Sequence, residues 1–424
     1  MHGREDVELA KFISHKEESI RNAMYPSEVW NPSQTDPRST MALMERVGAT
    51  YGGQPYKIAC TYDHLWGETL TKLQWIGEQL HQFFLQIDPL HPLLTEGLGP
   101  FAKELCSVPI RQVQAPFLRV DVHLRSSRRP QWEDAETPRC DHEIDILEIN
   151  TSAVDGFGVA SLLWMLLDTH YKPFAWNMVE NVRCYFGEPI TFLFSKQFRA
   201  VADEAILLQH LGLEGEVRSL HDTPRTRMVF PYFKPEHLEG NEPIVELYRE
   251  GIVEVHPLLR QSLDSKRNLV LAREWNRDLA MFIPDTILER PTARERHQWV
   301  AKPAHGGSCQ GILVGKGVTV RQWEQERNKP YVYQRLSEAS SATNLWRHRW
   351  IDFQEQEEEP TLWLWGLQED GSHVKLPDNA KVKMNLFYVM GKFIGGFGTV
   401  APNRLLINDS GYNFPITYEK RLYR

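Results

Sequence analysis

Glu148 and Asn150 stand two residues apart at the end of D-I-L-E-I-N (145–150), and Asp121 lies upstream in P-F-L-R-V-D-V-H-L (116–124). Side chains two apart on a strand point to the same side. Each alternating run therefore predicts a strand that presents its polar residues on one face. Two carboxylates and a carboxamide make an all-oxygen donor set suited to a hard cation. Magnesium takes few protein carboxylates and completes its shell with phosphate oxygens. The expectation is Mg2+ held by Asp121, Glu148 and Asn150 together with the phosphates of ATP. Arg119 shares the face of Asp121 and is placed to offset charge on a transferring phosphoryl group; a surface ion pair with Asp121 is the alternative.

ATP phosphates also need a cradle. The segment W-V-A-K-P-A-H-G-G-S-C-Q-G-I-L-V-G (299–315) reads as a strand ending at Lys302, a small loop with Gly306, Gly307 and Ser308, and a returning strand. Glycines let backbone N–H groups approach phosphate oxygens, and lysine adds a compact charge. The G-K-[ST] ending of a Walker loop is absent, as is a dinucleotide fingerprint, and an ordinary glycine hairpin would look the same. Y-V-Y-Q-R-L (331–336), with Gln334, reads as a strand and hinge against which an adenine ring would lie. A buried core strand is the other reading.

These residues need elements to position them. Apolar residues at 70, 73, 76, 80, 83 and 84 predict an amphipathic helix over 70–84. Strands over 116–124 and 144–150 are expected to pair across the charged loop 125–142. A helix over 158–170 follows, then strand 190–194, helix 197–211, strand 227–233 and the segments 243–250, 252–255 and 267–282. That alternation predicts a parallel α/β layer. After Pro291 come short strands at 299–302, 311–314, 331–334, 361–367, 382–390 and 392–396, which predict a mostly antiparallel lobe. The first fifty residues are expected to wrap the surface, and 354–359 to be a solvated acidic loop.

Composition narrows the class. The 424 residues are 42% hydrophobic and 25% charged, enough for a sizeable core. A net charge of −8 argues against a broad nucleic-acid or membrane-surface face. No apolar run approaches the length of a membrane span, and the start lacks the apolar core of a secretory signal. Five scattered cysteines without C-x-x-C predict free thiols, no zinc site and a cytoplasmic protein. Nothing in the sequence specifies an oligomeric state.

The order R-x-D, then E-x-N, then S-K, then V-A-K-P with a glycine loop resembles the synthetase module of glutathionylspermidine synthase and the wider circularly permuted ATP-grasp group. In most ATP-grasp enzymes the E-x-N segment comes last; here it precedes the lysine and glycine-loop segments. The resemblance runs from about residue 117 onward. It implies that Asp121, Glu148 and Asn150 are magnesium ligands, that Arg119 lies near the reacting phosphate, and that Lys302 meets ATP phosphates. Lys266, in D-S-K-R-N-L-V-L-A-R-E-W, matches a second nucleotide-contacting lysine, or is a surface lysine at a helix start.

The chain also departs from the pattern. An arginine is expected after the G-G of G-K-F-I-G-G-F-G-T-V-A-P-N-R, where Ala401 stands; Arg404, or Lys381 or Lys383, is the candidate substitute. Ser308-Cys309 occupies a place where an acidic residue is common. Only about 116 residues precede the first motif, so the amidase domain that some relatives carry is expected to be absent, and Cys309, with no spaced histidine, is expected to be a plain loop cysteine.

The resulting expectation is a permuted ATP-grasp-like fold of mixed α/β and α+β class. It has an N-terminal helical and surface region (1–115), an α/β region with the magnesium-binding strands (116–290) and an antiparallel lobe (291–424). The expected activity is an ATP-dependent ligase joining a small-molecule carboxylate to an amine through an acyl phosphate. A catalytically inactive ATP-binding relative and an ATP-dependent phosphotransferase are the alternatives.

Overall fold

The computed structural model describes residues 50–418 except 52–53, 56–57, 60–62, 66, 110–112, 127–141, 153–155, 168–171, 196–204, 206–207, 210–211, 307–309, 326–329, 338–364, 368–372, 377–379 and 402–410. In chain order, a hairpin of β1 (Thr50–Tyr51) and β2 (Gln54–Pro55) leads to β3 (Ile58–Ala59) and β4 (Asp63–Leu65). The helices α1 (Gly67–Gln86), α2 (Pro92–Thr95) and α3 (Pro100–Ser107) precede β5 (Phe117–Ser126) and β6 (His142–Asn150). Then come α4 (Phe157–Leu167), α5 (Lys172–Phe186), β7 (Ile190–Phe194), β8 (Gly215–Ser219), β9 (Met228–Tyr232), α6 (Pro243–Arg249) and β10 (Glu254–Val255). The next elements are α7 (Asn268–Trp275), α8 (Arg277–Ala280), β11 (Thr286–Ile287), β12 (Trp299–Pro303), β13 (Leu313–Val314), α9 (Val320–Gln325) and β14 (Tyr331–Arg335). β15 (Trp365–Leu367), β16 (His373–Lys375), β17 (Lys381–Val389), β18 (Lys392–Ala401) and β19 (Tyr412–Tyr418) complete the order.

Three larger sheets result. Nine strands form the main one, in the order β16-β15-β3-β19-β18-β17-β5-β6, with β4 also beside β19. The expected pairing of β5 with β6 is antiparallel and joins the arginine–aspartate run to the E-I-N run. A four-stranded parallel sheet, β10-β9-β7-β8, is the α/β layer. All five residues of β7 and of β9 are buried, as in a sheet covered on both faces. The third sheet, β11-β14-β12-β13, is antiparallel and carries Lys302.

Helix α1 buries Leu70, Leu73, Ile76, Leu80, Phe83 and Phe84, the stripe its spacing predicts. It packs tightly at Gly77, where an added Cβ would sit 2.3 Å from Tyr388 Cδ1 and 2.5 Å from Gly391 O. The main core gathers this stripe with Phe117, Val120 and Val122 of β5 and Leu386, Phe387 and Tyr388 of β17.

Two features differ from the sequence expectation. The strands after Pro291 do not make one sheet: β12 to β14 sit in the small sheet, while β15 to β19 join β5 and β6 in the main one. Alternation marks a run as a strand but does not choose its partner, and β17 pairs with β5 from far upstream. The second difference is a bulge in β6. Asp121 opposes Glu148 while the adjacent Val122 opposes Ile146, so Leu147 is an extra residue.

The helix expected over 197–211 falls mostly outside the described residues, as does the acidic loop 354–359. Among the described residues, Cys106 and Cys184 are free thiols. No described helix is long and apolar enough to cross a membrane.

Candidate active site

Strands β5 and β6 put Asp121 directly opposite Glu148 and Arg119 directly opposite Asn150. Opposed residues in an antiparallel pair share a face, so all four polar side chains project from one side of the main sheet. Asn150 Nδ2 donates to Arg119 O at 3.4 Å, which turns Oδ1 into its ligand-type atom. β17 flanks β5 on its other edge, with Asn385 opposite Asp121.

Each carboxylate meets cations. Arg119 Nε reaches Asp121 Oδ1 at 3.2 Å, and Lys383 Nζ reaches Oδ2 at 2.8 Å. Lys266 Nζ lies 3.0 Å from Glu148 Oε1. Burial alone would raise the Glu148 pKa. The charges of Lys266, Lys302 and Arg119 outweigh it and hold the carboxyl well below its usual range, at about 2. Glu148 is thus an anion throughout the neutral range.

Lys302 enters from the neighbouring sheet. It sits on β12 opposite Val332 of β14, and its Nζ donates to Leu147 O and to Gln334 Oε1, both at 2.7 Å. The β6 bulge supplies that first acceptor, because it leaves Leu147 outside the ladder with β5. Gln334 Nε2 donates to Ile146 O at 3.1 Å. Both ends of this buried amide are thus committed to protein atoms, and Gln334 acts as a staple that orients Lys302.

A three-residue segment, Asp264 to Lys266, ties the end of β6 to the residues just after β12. Asp264 Oδ1 accepts from the backbone N–H of Thr151 at 2.8 Å and of Ser152 at 3.2 Å. Lys266 N donates to Ala304 O at 2.9 Å, and Lys266 Nζ donates to Gly306 O at 2.6 Å. Gly306 has φ 112°, a conformation that favours glycine. Gly307, Ser308 and Arg404 lie outside the described residues. Ala401, where the resemblance expects an arginine, is buried at the end of β18 opposite Lys381.

At the expected adenine hinge, the N–H groups of Arg335 and Leu336 donate to Asp285 O and Gln298 O. Beyond them, Ser337 Oγ donates to Asp145 Oδ2 at 2.5 Å and lies 3.0 Å from His123 Nδ1. Burial, then the charges of Lys302, Lys383, Lys381 and Arg125, lower the His123 pKa to about 3 and keep the ring neutral. Sequence reasoning missed Asp264, His123 and Ser337 as parts of this site. The D-S-K triplet and the alternation R-x-D-x-H were the available signals, since each extends a run already singled out.

Among the described residues no group of three or more His, Cys, Asp and Glu side chains is placed to hold a metal ion by itself. Asp121, Glu148 and the Asn150 amide still fit magnesium, because that ion is ordinarily shared between one or two protein carboxylates and substrate phosphates. The surrounding lysines and arginine fit the phosphates.

No protein-family model matches the chain. No curated protein matches it either. Among solved structures, it is similar to a glutathione synthetase-like effector of Globodera pallida in its apo form, at 11% identity and a TM-score of 0.51, over 93% of this chain and 100% of that one. The two chains share a fold. A weaker likeness, with a TM-score of 0.38 and 11% identity, is to a putative γ-glutamylcysteine synthetase of Methylobacillus flagellatus, over 84% of this chain and 88% of that one.

Proposed function

We propose that this chain is an ATP-dependent carboxylate–amine ligase of the ATP-grasp type, with the permuted motif order of glutathionylspermidine synthase-like proteins. One observation carries the reading: Asp121, Glu148, Asn150 and Arg119 share a face, and Lys266 from a turn, Lys302 from β12 and Lys383 from β17 converge on it. A glutathione synthetase-like fold agrees with it.

In this reading Arg119, Lys302 and Lys383 exchange carboxylate and carbonyl partners for phosphate oxygens when ATP binds. Bound magnesium, held by Asp121, Glu148 and Asn150, would neutralise phosphate charge. The substrate carboxylate oxygen attacks the γ-phosphorus, the bond to the bridging oxygen breaks, and ADP leaves. An amine nitrogen then attacks the acyl carbon, phosphate departs, and the amine proton passes to solvent. Neither step needs a strong base, so positioning and fixed charge do most of the catalysis.

Substrate would enter from the parallel sheet. Ligands of such sheets bind at the carboxyl ends of the strands. There Ser195 Oγ, just after β7, lies 3.0 Å from His237 Nδ1, just after β9. Glu236 beside it accepts from Gln261, at the start of the turn that ends in Asp264.

The test is ADP release with panels of small carboxylates and amines, with hydroxylamine added to trap an acyl phosphate. Turnover should vanish in Glu148→Ala while the circular dichroism spectrum is retained; undiminished turnover in that variant would refute the site. A second reading, an ATP-binding relative without turnover, is favoured by Ala401 at the position of the expected arginine. ATP binding with no ADP release across the panels would select it.

A further inference from the structure

A cleft of about 510 Å3 opens at the edge of β6, between the segment after β14 and the segment between α8 and β11. None of Asp121, Glu148, Asn150, Lys266 or Lys302 lines it. Its size falls within the usual range for small-molecule pockets.

Two opposite charges stand side by side in its lining. Arg335 N donates to Asp285 O, continuing the β11–β14 pairing in which Thr286 opposes Gln334. Arg335 and Asp285 are therefore neighbours across the two strands, yet each side chain is held by a different partner. Asp285 Oδ1 accepts from Arg273 Nη2 at 2.9 Å, and Arg335 Nη2 donates to Gln298 Oε1 at 3.1 Å. The Asp285 side chain is 57% exposed. Cross-strand neighbours of opposite charge, facing one cleft, match the adjacent ammonium and carboxylate of an α-amino acid.

The rest of the lining favours an apolar side chain. Ile283, Pro284 and Leu336 line the wall, and Met281 stands 74% exposed beside it. An exposed methionine is an adaptable apolar contact. The cleft also holds Arg125, Asp145 and Arg273, so its three arginines exceed its two aspartates and a carboxylate is the favoured anchor.

We infer that this cleft binds a free α-amino acid with an apolar side chain, its carboxylate on Arg335 and its ammonium on Asp285. An arginine fork holds a carboxylate through two parallel hydrogen bonds. The cleft holds none of the proposed metal ligands but includes Arg335 and Leu336 of the expected adenine hinge and Ser337 beside it. L-leucine is therefore titrated with and without ATP: binding unchanged by ATP supports a separate site, and competition would assign the cleft to nucleotide and overturn the inference.

Isothermal titration calorimetry on the full chain tests the inference with L-leucine, N-acetyl-L-leucine and L-leucinamide. L-leucine should bind with a Kd of roughly 0.1–1 mM. Each derivative lacks one of the two charges and should bind about tenfold more weakly or worse. Arg335→Gln and Asp285→Asn should each weaken L-leucine by a similar factor with no loss of thermal stability, because the amide oxygen in D285N still accepts from Arg273. Met281→Trp should block binding by filling the mouth. Absence of heat with L-leucine at about 10 mM, equal binding of the blocked derivatives, or indifference to all three substitutions would overturn the inference.

Discussion

Lys383 Nζ meets Asp121 Oδ2 at 2.8 Å, joining two positions 262 residues apart in the chain. Arg119 takes the other oxygen of the same carboxylate, and Lys266 takes Glu148. Each carboxylate proposed as a metal ligand is thus already neutralised by the protein. Counting Lys302, four cations face two carboxylates, and that excess is suited to polyphosphate rather than to a bare metal ion.

ATP should therefore bind without magnesium, and magnesium without ATP should not bind measurably. Calorimetric titration of each alone, then of both, checks the order. Tight magnesium binding to the free protein would contradict the charge count.

Lys383→Met removes one of two cations from a carboxylate that is only 5% exposed. Losing a charged hydrogen bond of this kind costs about 1.5–3 kcal/mol. Thermal denaturation should show the loss in the free protein, and magnesium–ATP should restore part of it. An unchanged melting temperature would mean that Arg119 alone satisfies Asp121.

Gln334→Leu tests the staple without touching a cation. Lys302 would keep Leu147 O but lose its second acceptor. KM for ATP should rise and kcat should fall, because the ammonium is no longer fixed. Lys302→Met should be more severe, by roughly 10²–10³ in rate, the scale for one charge-stabilising donor. Equal effects from the two would assign Gln334 a direct contact with nucleotide.

His256, packed beneath Tyr185, should make stability depend on pH. Burial, opposed by the Glu254 charge, lowers its pKa to about 4. The unfolded chain takes up the proton first as pH falls from about 6.5, so stability declines from there towards pH 4. The loss approaches about 3 kcal/mol at the low end. Glu148 acts in the same direction at lower pH, its contribution being lost as pH falls towards about 2. Denaturant unfolding of His256→Gln across this range should show a flatter profile.

Gly77→Ala should destabilise the fold by about 1–3 kcal/mol, the usual effect of overpacking. An added Cβ would press on Tyr388 and on the carbonyl of Gly391. Denaturant midpoints measure it, and an unaffected midpoint would show that α1 can move away from the β17–β18 turn.

What the sequence made legible was local. Alternation placed Arg119 with Asp121 and Glu148 with Asn150, and the V-A-K-P strand placed Lys302, because each needed only a few consecutive residues. The Lys383–Asp121 contact needed the partner of a strand, which no local pattern encodes. The division of the late strands between two sheets was hidden for the same reason. D-I-L-E-I-N looked like plain alternation, and its bulge emerged only from the register with β5. The partners of Gln334 were hidden too, because an amide in a hinge strand carries no local sign of them.

The place of β19 in the main sheet has a consequence for how the chain folds. It follows every other described strand in the chain, yet it lies between β18 and the early β3, and it also pairs with β4. During synthesis β3 and β4 must wait beside the ribosome until residues 412–418 emerge, while β5 and β6 can already form their own hairpin. Contacts of such high sequence separation are slow to close. Refolding should therefore end, rather than begin, with the docking of β3 and β4.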